Sequence, residues 1–123
     1  MNGLAGERVL FSYLLSELEI YAHAKGYDLA RDEGRVFRER KVHEGNSIGI
    51  RVDAVHSLDS FHYRGLAQDY VLYIDDIWIS SSHPAWIDLS NHWKKLNPKC
   101  TWGGDFKTGT KNDLNHFSFG EGQ

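Results

Sequence analysis

The sequence predicts one α+β domain built from amphipathic helices and short strands. The chain has 123 residues, which is the size of a single domain, so we expect one domain over residues 1–123. Hydrophobic residues make up 41% of the chain and aromatic residues 13%, enough for a packed core. Apolar residues recur at helical spacing in two long segments, and shorter apolar runs next to turn residues are typical of strands.

The first predicted element is a helix over residues 7–25, followed by a short strand over residues 27–31. The apolar side of the helix has spacings of four, four and three: Leu10, Leu14, Leu18 and Tyr21. Gly26 is a suitable residue to end the helix. Residues 33–41 are rich in Arg and polar side chains, and most of them are expected to be solvated. Residues 47–52 are expected to form either a strand or part of a mobile loop bordering a site.

The second half of the chain predicts a hairpin, a helix and a last strand. Residues 67–79 contain two apolar runs around Asp75-Asp76, which predicts a turn there. A helix over residues 85–96 follows, with Ser82 or His83 at its N-cap and Pro84 in its first turn. Its apolar face is expected to lie in the core rather than to stack on sugars: Trp86, Leu89, Trp93 and Leu96. Residues 116–119 alternate as a strand does, and residues 120–123 are expected to be a frayed tail.

Charge and cysteine content exclude several classes of protein. The net charge of −3 does not indicate a nucleic-acid-binding surface. The single cysteine, Cys100, excludes an internal disulfide. The N-terminal segment lacks the uninterrupted apolar run of a signal peptide, and no stretch approaches the roughly 20 apolar residues of a membrane span. We therefore expect no membrane insertion, and we expect a monomer.

One short segment holds a His and an Asp that could share a metal ion. His62 and Asp69 are seven residues apart, which is about 23 Å in a fully extended chain. Two ligands of one tetrahedral zinc lie only about 3–4 Å apart, since each bond is about 2 Å long. The chain must therefore reverse between them, and Arg64-Gly65 is a credible place because Gly tolerates positive φ. By spacing alone, a hydrogen-bonded His–Asp pair remains the alternative.

The full pattern around this pair resembles a family signature. Ser60-x-His62-x-x-Gly65-x-Ala67-x-Asp69 matches, at five positions, the S-x-H-x-x-G-x-A-x-D signature of zinc D-Ala-D-Ala carboxypeptidases and L-alanyl-D-glutamate endolysins. The segment Trp-Gly-Gly-Asp over residues 102–105 resembles a turn that precedes the last metal ligand in phage endolysins of this family. The resemblance covers about residues 25–119. It implies an α+β fold of the hedgehog/DD-peptidase type, with a small antiparallel sheet and packed helices.

The resemblance also implies a set of site residues. His62 and Asp69 would be the first two zinc ligands, and His116 the third. His56, which the signature does not include, is the nearest competing ligand, although it is expected to be a loop histidine. Asp113, three residues before His116, would be the general base, with Asp105 as its nearest replacement. Arg35 would bind substrate or stabilise the transition state, and Arg31 is its rival for that role.

The function implied is a zinc metallopeptidase that hydrolyses peptidoglycan stem peptides. The expected type is a phage or prophage endolysin that cuts the L-Ala–D-Glu bond. It would be made in the host cytoplasm without a signal peptide and would reach the cell wall after release. Three alternatives stay open: a D-Ala-D-Ala carboxypeptidase of the same family, a zinc-retaining binding module without turnover, and a structural phage protein without metal.

Overall fold

The structure is a computed structural model that describes residues 3–32, 61–106 and 113–122. These ranges contain two α-helices and five antiparallel strands, which confirms the α+β class and the small antiparallel sheet. In chain order the elements are α1 Gly3–Ala24, β1 Asp28–Asp32, β2 Ala67–Ile74, β3 Ile77–Trp78, α2 Ala85–Leu96, β4 Cys100–Trp102 and β5 His116–Phe119. A single 3₁₀ turn, Gly103–Asp105, follows β4. The predictions for Arg35, His56, Ser60 and residues 47–52 lie outside the described residues.

The last strand in the chain lies inside the sheet. The strand order is β1-β2-β5-β4, and the short β3 extends the hairpin from β2. In the register between β2 and β5, Asp69 is directly opposite His116 and Gln68 is opposite Phe117. Side chains alternate between the two faces of a strand. Asp69 and His116 therefore share one face of the sheet, while Phe117 is on the other.

The face that carries Phe117 is the one covered by the helices. The Phe117 ring lies 5.7 Å from that of Tyr70, 6.4 Å from that of Trp86 and 6.0 Å from that of Trp93. Both Trp rings of α2 are almost completely buried, at 2% and 0% exposure. The prediction that they belong to the core, and not to a sugar-stacking surface, is confirmed. Their indole N–H groups donate to backbone carbonyls of Ser80 and Thr101, so the rings are fixed in orientation.

Helix α1 packs through most of the predicted apolar face and through neighbouring positions, with Leu10 as the exception. Leu14 and Leu18 are buried as expected, but Leu10 is 39% exposed. The buried face also includes Phe11, Leu15 and Ala22. An α-helix has 3.6 residues per turn, so residues spaced four apart move gradually around the helix and do not stay on one face. Phe11, whose ring packs edge-on against Trp93, takes the place predicted for Leu10.

Local signals for the turn and the second helix are confirmed. Asp75 and Asp76 both have positive φ, 52° and 66°, as the two central residues of a tight hairpin turn require. Helix α2 has the predicted bounds, Ala85–Leu96. Its N-cap is Pro84, one position later than His83, so the predicted cap at Ser82 or His83 is wrong, although the His83 imidazole accepts a hydrogen bond from the Ala85 N–H. The extended conformation of Asn97 ends the helix before Pro98.

Neither helix in the described part of the chain has the length and apolar character needed to cross a bilayer.

Candidate metal centre

His62 is presented by a turn that is held against the sheet. The chain reverses over residues 61–65, where the Gly65 N–H donates to the His62 carbonyl and Gly65 has φ of 76°. This reversal lies where the sequence predicted it, and its positive φ explains the glycine. The Leu66 carbonyl accepts a hydrogen bond from the Phe119 N–H of β5. The turn is therefore joined to the strand that carries His116.

Asp69 and His116 are brought together by strand pairing. They are separated by 47 residues in sequence, but they face each other across β2 and β5. The Asp69 Oδ1 atom lies 3.0 Å from His116 Nδ1, and Asp69 Oδ2 lies 3.4 Å from His62 Nε2. The two imidazole centroids are 5.0 Å apart. Asp69 thus lies between the two histidines, with one oxygen directed at each.

This geometry fits a single metal ion. One ligand atom from each of His62, Asp69 and His116 can be chosen so that all three lie within 4.8 Å of one another. The two shorter separations are already close to the roughly 3–4 Å expected for ligands of one zinc. Two imidazoles and one carboxylate suit Zn²⁺, although other transition metals accept the same donors. The structure brings together all three ligands predicted from the sequence, without being specific for zinc.

The electrostatics show how strongly these groups interact in the metal-free chain. Burial opposes ionisation of Asp69, but hydrogen bonds with His116 and His62 outweigh it and lower the Asp69 pKa from 3.8 to about 2. Burial opposes protonation of His116, but hydrogen bonds with Asp69 and Glu121 raise its pKa from 6.5 to about 9. The ionised Asp69 carboxylate suits a cation site, whereas a metal ion that binds His116 must displace a proton from its ring, because a metal-bound histidine is neutral.

Asp113 is held next to His116 by a turn with three attachments. The His116 N–H donates to the Asp113 carbonyl at 3.1 Å, which closes the turn. The Leu114 carbonyl accepts from the Trp102 indole N–H at 2.7 Å. Asn115 is bonded to Tyr70 of β2 twice, through its carbonyl and through its side-chain amide. The Asp113 side chain is exposed, so a substrate can reach it, while these hydrogen bonds hold the turn in place.

The first glycine of the Trp-Gly-Gly-Asp turn has a local explanation. A Cβ atom on Gly103 would lie 2.9 Å from the Cβ atoms of both Asp113 and His116, and still closer to the Asp113 carbonyl oxygen. A Cβ on Gly104 would overlap the Trp102 ring. Residue 103 must therefore lack a side chain for the turn carrying Asp113 to pack against the 3₁₀ turn.

Two of the alternative residues are engaged elsewhere. Arg31 is opposite Tyr70 in the sheet register and forms an ion pair with Glu19 of α1, with Nε and Oε2 2.7 Å apart. It therefore faces the helices, on the opposite side of the sheet from Asp69. Asp105, the alternative base, lies 2.9 Å from the Lys94 ammonium of α2. Arg35 and His56 remain predictions, because both lie outside the described residues.

One residue at this site was not indicated by the sequence. Glu121 was expected to be part of a frayed tail, but its Oε1 atom lies 2.6 Å from His116 Nε2. The chain folds back at Gly120, where φ is 87° and the N–H donates to the Lys99 carbonyl. The only available signal was that glycine, which permits a turn without revealing what the next residue contacts.

Comparison of the chain with models of protein families, and separately with curated proteins, gives no match. The interpretation of this site therefore depends on its residues and their geometry.

Proposed function

We propose that the chain is a zinc metallopeptidase that hydrolyses peptidoglycan stem peptides, with L-Ala–D-Glu as the bond cut. The observation that carries the proposal is the convergence of His62, Asp69 and His116 from three separate parts of the chain. The same three residues are the ligands implied by the signature around His62 and Asp69. In this proposal the enzyme is made in the host cytoplasm and acts on the cell wall after its release.

Among the described residues, the number and type of donors favour a catalytic metal over a structural one. Structural zinc sites usually have four protein ligands, often cysteines, whereas catalytic sites have three and leave a position for water or substrate. Cys100 does not extend this group, because it is buried within the hydrophobic core. Asp69 and His62 side chains are each 35% exposed, so the group is open to solvent on one side. A bound Zn²⁺ would polarise a peptide carbonyl and lower the pKa of water to roughly 7.

Asp113 supplies the proton transfer in the proposed reaction. As water adds to the carbonyl carbon of the scissile peptide, the Asp113 carboxylate takes a proton from that water. It then gives the proton to the amine nitrogen as the C–N bond breaks. The hydrogen-bonded turn between Asp113 and His116 supports this role, because a general base must stay within hydrogen-bond reach of its water. The exposure of Asp113 supports it as well, since the peptide must approach from outside.

The test combines metal analysis with digestion of peptidoglycan. Purified protein should contain about one zinc per chain, and mass spectrometry of the digested muropeptides should show free L-Ala ends and D-Glu-initiated peptides. Release of terminal D-Ala instead would identify the carboxypeptidase alternative. Zinc binding without any cleavage would indicate a binding module, and absence of metal would indicate a structural role. The His116→Ala variant, which removes a ligand, serves as the inactive control.

A further inference from the structure

The imidazole of His116 lies between two carboxylates, one at each ring nitrogen. Nδ1 is 3.0 Å from Asp69 Oδ1, and Nε2 is 2.6 Å from Glu121 Oε1. The ring is well protected, since the His116 side chain is 8% exposed and that of Glu121 is 27% exposed. Phe106 adds an aromatic contact, with its ring centroid 5.6 Å from that of His116. The contacts with Asp69, Glu121 and Phe106 therefore fix the orientation of the His116 ring.

The two ring nitrogens of His116 have different surroundings, so one faces the proposed metal ion and the other faces Glu121. Nδ1 points toward Asp69, which also contacts His62, so Nδ1 is the nitrogen on the side of the metal group. The two ring nitrogens of an imidazole point in diverging directions, which places Glu121 on the far side of the ring. A neutral imidazole carries one N–H, and the hydrogen bond at one nitrogen decides which nitrogen keeps its lone pair. An N–H at Nε2 donated to Glu121 leaves the Nδ1 lone pair free for the ion.

We propose that Glu121 is a positioning residue that holds His116 in the Nε2–H tautomer and orients its Nδ1 atom toward the metal. This inference rests on the proposed metal function. Carboxylates that accept the second N–H of a metal-bound histidine also raise the basicity of the ligand, and their loss typically costs about 10–100-fold in metal affinity. The short path from β5 through Gly120 brings the carboxylate to the ring without any further element of the fold.

The alternative role for Glu121 is purely structural: an ion pair with His116 that holds the C-terminal residues against the sheet. The chain offers a matched control for that role. Glu7 Oε2 lies 2.7 Å from the Lys99 ammonium, and the side chain of Lys99 lies beside Gly120. Glu7→Ala therefore removes an ion pair close to the same part of the chain without touching His116. A purely structural Glu121 would behave as Glu7 does.

The experiment measures zinc affinity of the metal-stripped full chain by competition with a chromophoric chelator. Glu121→Ala should weaken zinc binding about 10–100-fold relative to wild type. Glu121→Gln should weaken it less, because its amide oxygen still accepts the Nε2 hydrogen bond while the charge is lost. Glu7→Ala should leave the affinity within a factor of two. Thermal unfolding of each metal-free variant shows whether the chain is folded, and the isosteric Gln variant carries the test if the Ala variant is not.

A second readout follows the tautomer itself. Nitrogen-15 NMR of the zinc-loaded protein should show His116 with metal on Nδ1 and a proton on Nε2, and the Nε2 signal should change in Glu121→Ala but not in Glu7→Ala. If wild type binds zinc and Glu121→Ala binds it as tightly as Glu7→Ala does, the role of Glu121 is refuted while the metal function stands. If wild type binds no zinc, both are refuted.

Discussion

Gly103→Ala is expected to damage the proposed metal site through packing alone. The new methyl group would lie 2.9 Å from the Cβ atoms of Asp113 and His116 and would overlap the Asp113 carbonyl oxygen. Backbone atoms cannot rotate out of the way, so the turn between these residues must move. Overpacking of this kind costs about 1–3 kcal/mol. Weakening the hydrogen bond from the His116 N–H to the Asp113 carbonyl adds about 1 kcal/mol.

One effect opposes this loss of stability. Replacing Gly by Ala restricts the unfolded chain and stabilises the folded state by about 0.4–1 kcal/mol. The net loss for Gly103→Ala is therefore about 1–4 kcal/mol, or roughly 4–15 °C in the thermal midpoint for a chain of this length. Because His116 moves with the turn, zinc affinity should also fall by about tenfold or more.

Gly26→Ala is the matched control for this experiment. Gly26 has φ of 82°, but a Cβ there would meet nothing within 4 Å. The variant should lose about 1–2 kcal/mol from backbone strain and keep its zinc affinity. Thermal unfolding and chelator competition on both variants separate the two causes. If Gly103→Ala binds zinc as wild type does and loses no more stability than Gly26→Ala, the packing argument is wrong.

Three further predictions concern other parts of the molecule. Asp113→Ala should keep its zinc and its thermal midpoint but lose about 10²–10⁴-fold in lytic rate on purified peptidoglycan. The control Asp105→Ala should keep a lytic rate near that of wild type. Loss of zinc from Asp113→Ala would make Asp113 a ligand instead. Burial raises the pKa of the Cys100 thiol from 9.0 to about 12, so the neutral thiol favours the folded chain below pH 9 and this contribution is lost as the pH rises toward 12. The native protein should therefore resist a thiol reagent at pH 8, and rapid labelling of the native thiol would contradict its burial. Cys100→Ser should leave the zinc content unchanged. Glu19→Ala removes the hydrogen-bond acceptor of the Tyr70 hydroxyl, and Tyr70 is only 1% exposed. The variant should lose about 1–3 kcal/mol in unfolding free energy with no change in zinc affinity. A double variant that also carries Tyr70→Phe should recover part of that loss.

Local features of this fold were predictable because each depends on residues close together in sequence. The turn at Asp75-Asp76 needs two residues that tolerate positive φ, and aspartates do so better than most. The helix Ala85–Leu96 is preceded by Pro84 and carries its large side chains at helical spacing. The reversal before Asp69 was predicted from the separation of two ligands and the glycine between them.

Other features depend on contacts that sequence spacing does not contain. The placement of β5 between β2 and β4 depends on which strand edges meet, and periodicity is the same for any order. The burial of Phe11 in place of Leu10 depends on where Trp93 lies. Glu121 contacts His116 only because the chain after β5 turns back on the sheet. The three proposed metal ligands were suggested by a resemblance, but the carboxylate that contacts His116 was not.

The direct opposition of Asp69 and His116 also limits where this chain can gain or lose residues. A slip of one position between β2 and β5 would move one of the two side chains to the face that the helices cover. A single deletion between Gly65 and Asp69 would either force this slip or move His62 by one position relative to Asp69, and both changes disrupt the proposed site. The hairpin turn at Asp75-Asp76 lies beyond this pairing, so extra residues inserted there leave the alignment of Asp69 with His116 unchanged. The proposed metal site therefore depends on strand alignment, and insertions should be tolerated at the Asp75-Asp76 end of β2 but not at its Gly65 end.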